Sequence, residues 1–340
     1  MRASRLQRDE SVPPARNSVY RRALVVKSLG VVNPLPAVTV FSPAKINLFL
    51  AVTGRRADGY HELVSVAMPL TFGDTLTVEV KGQRSKDESQ KLSGGDQFAL
   101  ECDDPEVPRD ETNLVLRAAR LFRERTGWKE PATFRLVKRI PIGAGLGGGS
   151  SNGTAALIAL NQLSGAGLGR DALAALAAQV GSDCALFLPG GPVVMRGRGE
   201  CVERLPEPAA RRLRGRRVLL FKPSLGIGTA WAYARLASGM PDGYLPADEA
   251  ERRLAAWMAG EAAAEELLFN SFEPVVFRKF VALPTLRERL RTRFGLVPRL
   301  SGSGSACFVL LPDDAPVAEI TACIREAWGA ASFVQAAAIA

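Results

Sequence analysis

Twelve residues, Pro141-Ile-Gly-Ala-Gly-Leu-Gly-Gly-Gly-Ser-Ser-Asn152, constrain this 340-residue chain more than any other stretch. Five of them are glycine, and the run passes directly into an alanine- and leucine-rich segment, residues 154–163, with helical composition. Glycine admits positive φ and lets backbone N–H groups approach a bulky anion, while the first turn of a helix adds unpaired donors and a favourable dipole. The stretch reads as a phosphate cradle, with Ser150, Ser151 and Asn152 expected to cap the helix. No lysine precedes the serines, so the Walker A pattern fails, and the ribose-binding acid of a dinucleotide fold is missing downstream. Taken alone, a glycine-rich run also fits a flexible linker, so the rest of the chain has to decide.

Apolar and charged fractions of 47% and 23% are those of a globular protein, and the length allows two domains. No run of eighteen apolar residues occurs, so no membrane-spanning helix and no membrane partner are expected. Cys102, Cys184, Cys201, Cys307 and Cys323 lack metal-ligand or redox spacing and are expected to be free thiols, which fits a reducing compartment such as cytosol. The net charge of +9 is largely peripheral. Residues 1–36 hold seven basic side chains against Asp9 and Glu10, and a second cluster runs from Arg211 to Arg217. Solvated charge is the expected role of both, with no nucleic-acid partner, and the tail is expected to be disordered.

From residue 38 to 52, Ile46, Leu48, Leu50 and Val52 share one parity and Lys45, Asn47 and Phe49 the other, the signature of a strand that puts Lys45 and Asn47 on one face. A turn-rich stretch, Thr53 to Gly59, leads through Tyr60-His61 into a returning strand over 62–70. Further strands are expected over 75–80, 133–137, 193–196, 218–221, 308–311 and 332–336. Helices are expected over 171–180, 249–259, 273–280, 285–294 and 317–328. A mixed α+β chain results, with a boundary after Gly190-Gly191 that gives domains 37–191 and 192–340.

An acceptor beside the cradle needs a group to take or orient its proton and a cation to stabilise the oxygens in transit. Asp183, after Gly181-Ser182, and Lys45 fit those roles. Phosphoryl transfer asks for little more than this positioning together with Mg²⁺. His61 is the only histidine, which excludes a multi-histidine metal site and leaves hydrolase chemistry poorly supported. Beside Tyr60 it is placed to present a ring nitrogen and an aromatic face to a planar ligand such as a base.

Four motifs in order, Pro43-Ala-Lys-Ile-Asn-Leu-Phe-Leu50, Arg56-Ala-Asp-Gly-Tyr-His-Glu-Leu63, Pro141 to Asn152, and Leu300 to Cys307, carry a resemblance to the GHMP kinases. The first two resemble the family within them that phosphorylates 4-diphosphocytidyl-2-C-methyl-D-erythritol. The resemblance covers residues 38–336 and implies an N-terminal nucleotide-binding α+β domain followed by a ferredoxin-like α+β domain. It also implies ATP as phosphate donor with Mg²⁺, for which no metal ligand is assigned and the protein ligands stay open, and transfer to the 2-hydroxyl of this cytidine-linked alcohol in the non-mevalonate isoprenoid pathway. Lys45 and Asp183 would be the catalytic pair. Asn113 and Lys138 would line the adenine pocket, and Pro141, Gly143, Gly145, Leu146, Gly147, Gly148, Gly149, Ser150 and Ser151 the triphosphate loop. Asn47 and Thr229 would hold the acceptor, His61 the cytosine with Tyr60 beside it, and Tyr233 would be the second stacking face, with Trp231 as the substitute. Gly302 and Gly304 would close the site from the second domain.

The resemblance further implies a monomer or weak homodimer in the bacterial cytoplasm, ahead of a plastid. The chain departs from the family at Gly181-Ser-Asp-Cys-Ala185, where Gly-Ala-Asp-Val-Pro is common, which leaves the aim of the Asp183 carboxylate open. Two other readings stay open at this point: another GHMP small-molecule kinase, and a non-catalytic RNA-associated protein on a related scaffold.

Overall fold

The computed structural model describes residues 37–80, 97–239 and 243–340, so the tail over 1–36 lies outside the described residues. The first half contains β1 (Ala37–Arg55), β2 (His61–Val80), β3 (Phe98–Cys102), α1 (Leu114–Thr126), β4 (Ala132–Val137), α2 (Gly148–Ser164), α3 (Arg170–Val180), β5 (Val193–Arg196) and β6 (Cys201–Arg204). Then follow α4 (Glu207–Arg211), β7 (Arg217–Lys222), α5 (Thr229–Ala237), α6 (Ala247–Ala259), α7 (Ala264–Leu267), β8 (Phe269–Asn270), α8 (Glu273–Lys279), α9 (Ala282–Phe294), β9 (Arg299–Leu300), β10 (Cys307–Leu310), α10 (Val317–Trp328) and β11 (Phe333–Ala338).

β1 and β2 pair antiparallel along almost their whole length and form the spine of the first sheet, ordered β3-β4-β2-β1-β8. The expected alternation along β1 holds from Lys45 to Asn47 and is broken by a register shift at Leu48: Ile46, Leu48 and Phe49 pack in one apolar layer and Leu50 and Val52 in another, because the extra residue of the bulge turns the following side chains over. β2 changes partner along its length, meeting β5 at Ser65 to Ala67 and β4 from Thr75 to Val80. β5 and β6 therefore belong to the first sheet, and so does β8, which runs parallel to β1 at Phe49 and Leu50. The expected division at residue 191 does not follow the sheets. Where β4 leaves β2, the β2 backbone needs another ladder partner, and the chain beyond 191 supplies it.

The second sheet is wholly antiparallel in the order β11-β7-β10-β9. With helices α5 to α9 between β7 and β9 and α10 between β10 and β11, this is the split β-α-β ferredoxin-like arrangement. The two sheets close on a shared apolar layer that includes Ile46, Leu48 and Phe49 from β1, Leu220 from β7, Phe308 from β10 and Trp257 from α6. That layer sets the two glycine-rich loops against each other.

α2 begins at Gly148, with Gly147 in the left-handed region as its N-cap and no side-chain cap. The expected capping by Ser150, Ser151 and Asn152 is therefore corrected: these residues lie inside the first turns. The helix starts earlier because Gly147, at φ 72°, can reverse the chain without a side chain, which leaves the first amides of α2 facing the loop.

Candidate active site

A cleft of about 1240 Å³ runs between the glycine loop, the β1–β2 turn and the second domain. That volume exceeds the usual range for one small ligand and leaves room for two substrates end to end. Pro141, Gly143, Gly145, Leu146, Gly147, Gly148, Gly149 and Ser150 line one end of it, as expected for the cradle. Lys45 donates its backbone N–H to Leu146 O at 2.9 Å, so the loop is clipped to β1 at the lysine itself.

Lys45 and Asn47 project to the same side of β1, and the Lys45 ammonium donates to Asn47 Oδ1 at 2.6 Å. Asn47 passes one N–H to Ser65 Oγ at 2.9 Å, and Ser65 donates to Phe49 O at 2.7 Å. Asn47 keeps a second N–H for a ligand. Asp183 Oδ2 stands 3.9 Å from Lys45 Nζ, and the two partners differ sharply in exposure: 4% for the lysine side chain against 41% for the aspartate. Burial pushes the Lys45 ammonium down from its ordinary value, and the Asp183 carboxylate opposes that shift. An exposed carboxylate beside a buried cation is suited to meet an incoming hydroxyl.

The aim of Asp183 has a local cause that compensates for the missing proline. Cys184 N donates to Gly181 O at 3.0 Å, and Thr154 Oγ1 of α2 donates to Cys184 O at 2.7 Å, which pins the turn from both sides. Cys184 itself is buried, which pushes its thiol up to about 12 and makes it an inert filler.

Several expected contacts take a different form. Lys138 lines the cleft, but its ammonium is held by Asp74 Oδ2 at 2.6 Å and Ile140 O at 2.5 Å, while Asp74 Oδ1 accepts the N–H groups of Arg139 and Ile140. Asp74 is completely buried, so the charge of Lys138 is committed to it, and Lys138 braces the base of the loop from its place in the cleft wall. Asn113 borders the cleft as the N-cap of α1, with Oδ1 accepting from Val115 N and Nδ2 donating to Pro108 O. Its side chain shapes the pocket wall. Ser151 is 1% exposed and does not line the cleft, because it falls on the inward face of α2. Its neighbour Asn152 does line the cleft and accepts from Ser42 Oγ at 2.6 Å.

Tyr60, His61 and Tyr233 line the cleft by the β1–β2 turn, and Thr229 lines it beside the second-domain loop. His61 Nε2 is buried with no partner among the described residues. Burial and the Arg55 charge both lower the His61 pKa, so the neutral ring keeps one donor and one acceptor nitrogen. Its ring lies 4.8 Å from that of Tyr233 at 32°, too close for a base to stand between them. The second stacking face expected at Tyr233 is thus part of the same wall as His61, braced from behind by Phe272 at 4.8 Å and 85°. Burial, with the Asp183 charge adding to it, pushes the Tyr233 phenol up to about 12. Tyr60 is exposed at the mouth, with the Arg198 guanidinium 4.8 Å over its ring. Trp231 packs edge-on against Phe280 and is not in the cleft, which removes it as a substitute.

Gly302 lines the cleft and Gly304 does not. Ser301 Oγ donates to Gly145 O at 3.1 Å, Ala306 N donates to Ala144 O at 3.0 Å, and Ser303 Oγ lies 2.9 Å from Thr229 Oγ1. The second-domain loop is bonded directly to the cradle. Ser65, Arg198 and Phe272 also line the cleft and were missed by sequence reasoning, since none of them sits in a motif; Asn152 was expected as a helix cap and not as a cleft residue.

On this scaffold, a phosphate cradle facing a lysine–aspartate pair defines a GHMP kinase. The GHMP kinases N terminal domain matches residues 113–193 and the GHMP kinases C terminal matches residues 250–330. The 4-diphosphocytidyl-2-C-methyl-D-erythritol kinase of Synechococcus sp. (strain CC9311) is 39% identical over 305 residues, covering 87% of this chain and 94% of the relative. The chloroplastic kinase of the same name from Arabidopsis thaliana is 33% identical, covering 83% and 70%. A crystal structure of 4-(cytidine 5'-diphospho)-2C-methyl-D-erythritol kinase superposes with a TM-score of 0.67 at 33% identity, covering 89% of this chain and all of that one. The chain belongs to the 4-diphosphocytidyl-2-C-methyl-D-erythritol kinase family. No helix among the described residues is long and apolar enough to cross a membrane.

Proposed function

We infer that this chain transfers the γ-phosphate of ATP to the 2-hydroxyl of 4-diphosphocytidyl-2-C-methyl-D-erythritol, a step of the non-mevalonate isoprenoid precursor pathway. The observation that carries the reading is one continuous cleft with the Lys45–Asp183 pair at the cradle and an unpartnered, buried His61 nitrogen at its far end. That spacing suits an acceptor with its alcohol at one end and a base at the other.

Asp183 is placed to take the proton of the attacking hydroxyl, and its exposure leaves it accessible to that hydroxyl. Lys45 stabilises charge on the transferring phosphoryl group, and Asn47 uses its free N–H to orient the acceptor. The amides at the start of α2 and the glycine loop take the donor phosphates. Mg²⁺ fits this site as a companion of the nucleotide. No group of three or more His, Cys, Asp or Glu side chains among the described residues forms a cage, while Ser150 and Asp183 offer oxygen at the cradle. Such a sparse donor set suits an ion that keeps waters and phosphate ligands. When bound, Mg²⁺ neutralises phosphate charge. His61 reads the edge of the cytosine, with Tyr60 and Tyr233 as apolar faces. A cytoplasmic setting and a monomer or weak dimer that does not bind nucleic acid complete the reading.

His61→Ala is expected to raise KM for the cytidine substrate by about 10- to 100-fold, the cost of a lost hydrogen bond and aromatic contact, with kcat and KM for ATP within about threefold. Steady-state kinetics with each substrate varied in turn checks this. An unchanged KM for the cytidine substrate would place base recognition elsewhere.

A further inference from the structure

Between the end of β8 and the start of α8, Asn270-Ser-Phe-Glu273 sits where the first sheet hands the chain to the second domain. Asn270 pairs with Leu50 of β1, and Ser271 ties the same strand twice: its N–H donates to Leu50 O and its Oγ accepts from Val52 N, both at 2.9 Å. Asn270 is 3% exposed and spends its whole side chain. Nδ2 donates to Leu300 O and to Gly302 O, each at 2.8 Å, and Oδ1 accepts from Phe272 N at 2.8 Å. Only this amide orientation satisfies all three partners, since two are carbonyls and one is an N–H.

The loop that Asn270 grips is the one bonded to the cradle through Ser301 and Gly145. Gly302 lies so near the catalytic lysine that a Cβ there would stand 3.3 Å from Lys45 Nζ and 3.1 Å from Gly145 O. A second clamp acts on the same loop from Glu273, which accepts from Leu300 N at 3.0 Å and pairs with Arg287 and Arg299. One short corner thus joins β1, which carries Lys45, to the loop that covers Lys45 from the other domain.

We propose that Asn270 is a positioning residue for phosphoryl transfer, its two amide hydrogens holding residues 300–302 against Lys45 and the cradle. It touches no substrate and acts through the loop. The proposal rests on the kinase reading given above. Because a displacement of about 1 Å at a reacting centre can cost on the order of a hundredfold in rate, the effect falls on turnover rather than on cytidine binding.

Asn270→Asp is the informative change: it keeps the size and the acceptor for Phe272 N, hence the brace behind Tyr233, but presents carboxylate oxygens to two carbonyls. Expected are a 30- to 100-fold fall in kcat and KM values for both substrates within threefold. Asn270→Ala is expected to behave similarly, with a lower Tm. Ser271→Ala, which removes one tie of the same corner to β1, controls for stability: it is expected to lower Tm while keeping kcat within threefold. If wild-type protein turns over and Asn270→Asp keeps kcat within threefold, the positioning role is overturned and the kinase reading stands. If Ser271→Ala loses as much turnover as Asn270→Asp, the corner matters only for stability and the proposal is likewise overturned. Absence of turnover in the wild type would overturn the kinase reading and this proposal with it.

Discussion

Asp183→Asn is expected to lower kcat by about 10³-fold, or about 4 kcal/mol of transition-state stabilisation, while leaving KM for ATP within about threefold. Asparagine matches aspartate in size and can still orient the acceptor hydroxyl, but it cannot take the proton. The change should be silent in a thermal melt, since the Asp183 side chain is 41% exposed and its turn is held through the Cys184 backbone, which donates to Gly181 O and accepts from Thr154 Oγ1. A second readout follows from electrostatics. The Asp183 carboxylate favours the Lys45 ammonium, which burial disfavours, so removing the carboxylate lowers the pKa of Lys45 further. The alkaline limb of any residual activity should therefore move to lower pH. Near-normal kcat in Asp183→Asn would remove the base role.

Gly145→Ala is expected to reduce kcat/KM by about 10²-fold or more and to lower Tm. Gly145 has φ +76°, where a side chain is strained by about 1 kcal/mol or more, and a Cβ there would lie 2.1 Å from Ser301 O and 3.1 Å from Gly304 N. Both neighbours are backbone, so neither can swing aside, and the cradle has to separate from the second-domain loop. The donor phosphates and Lys45 then lose their common frame. Gly149→Ala is the matched control for stability. Gly149 lies inside α2, and the only contact within 4 Å of its added Cβ is Leu114 Cδ1 at 3.8 Å, so its Tm should not fall. Kinetics and melting of the two variants side by side check the pair. Equal melting temperatures for Gly145→Ala and wild type would mean that the loops do not press on each other as described.

Local pattern made part of this site legible. A period of two residues put Lys45 and Asn47 on one face of β1, and the hydrogen bond between them follows from it. The glycine run announced the cradle, and Gly181-Ser182 delivered Asp183 to it. What stayed hidden depends on partners distant in sequence. Nothing near Lys138 signals that its charge belongs to Asp74, 64 residues earlier, and helical phase alone decides that Ser151 turns inward while Asn152 reaches the cleft. The closeness of His61 and Tyr233 is set by packing between domains. Asn270 carries no local signature at all, because its meaning lies in two carbonyls 30 and 32 residues away. In the fold, β3, β6, α1 and α5 escaped notice: β3 and β6 are only five and four residues long, whereas α1 carries a plain helical pattern of buried Val115, Leu116, Ala118, Ala119 and Phe122 that was there to be read.

The decisive measurement is ATP consumption by the purified protein with Mg²⁺, comparing 4-diphosphocytidyl-2-C-methyl-D-erythritol with the same alcohol phosphate lacking its cytidine group. Turnover that depends on the cytidine-linked alcohol, with little or none on the truncated one, is the predicted result, because the cleft joins the Lys45–Asp183 pair to the His61 wall. Equal turnover with both, or ATP binding with turnover of neither, would contradict it.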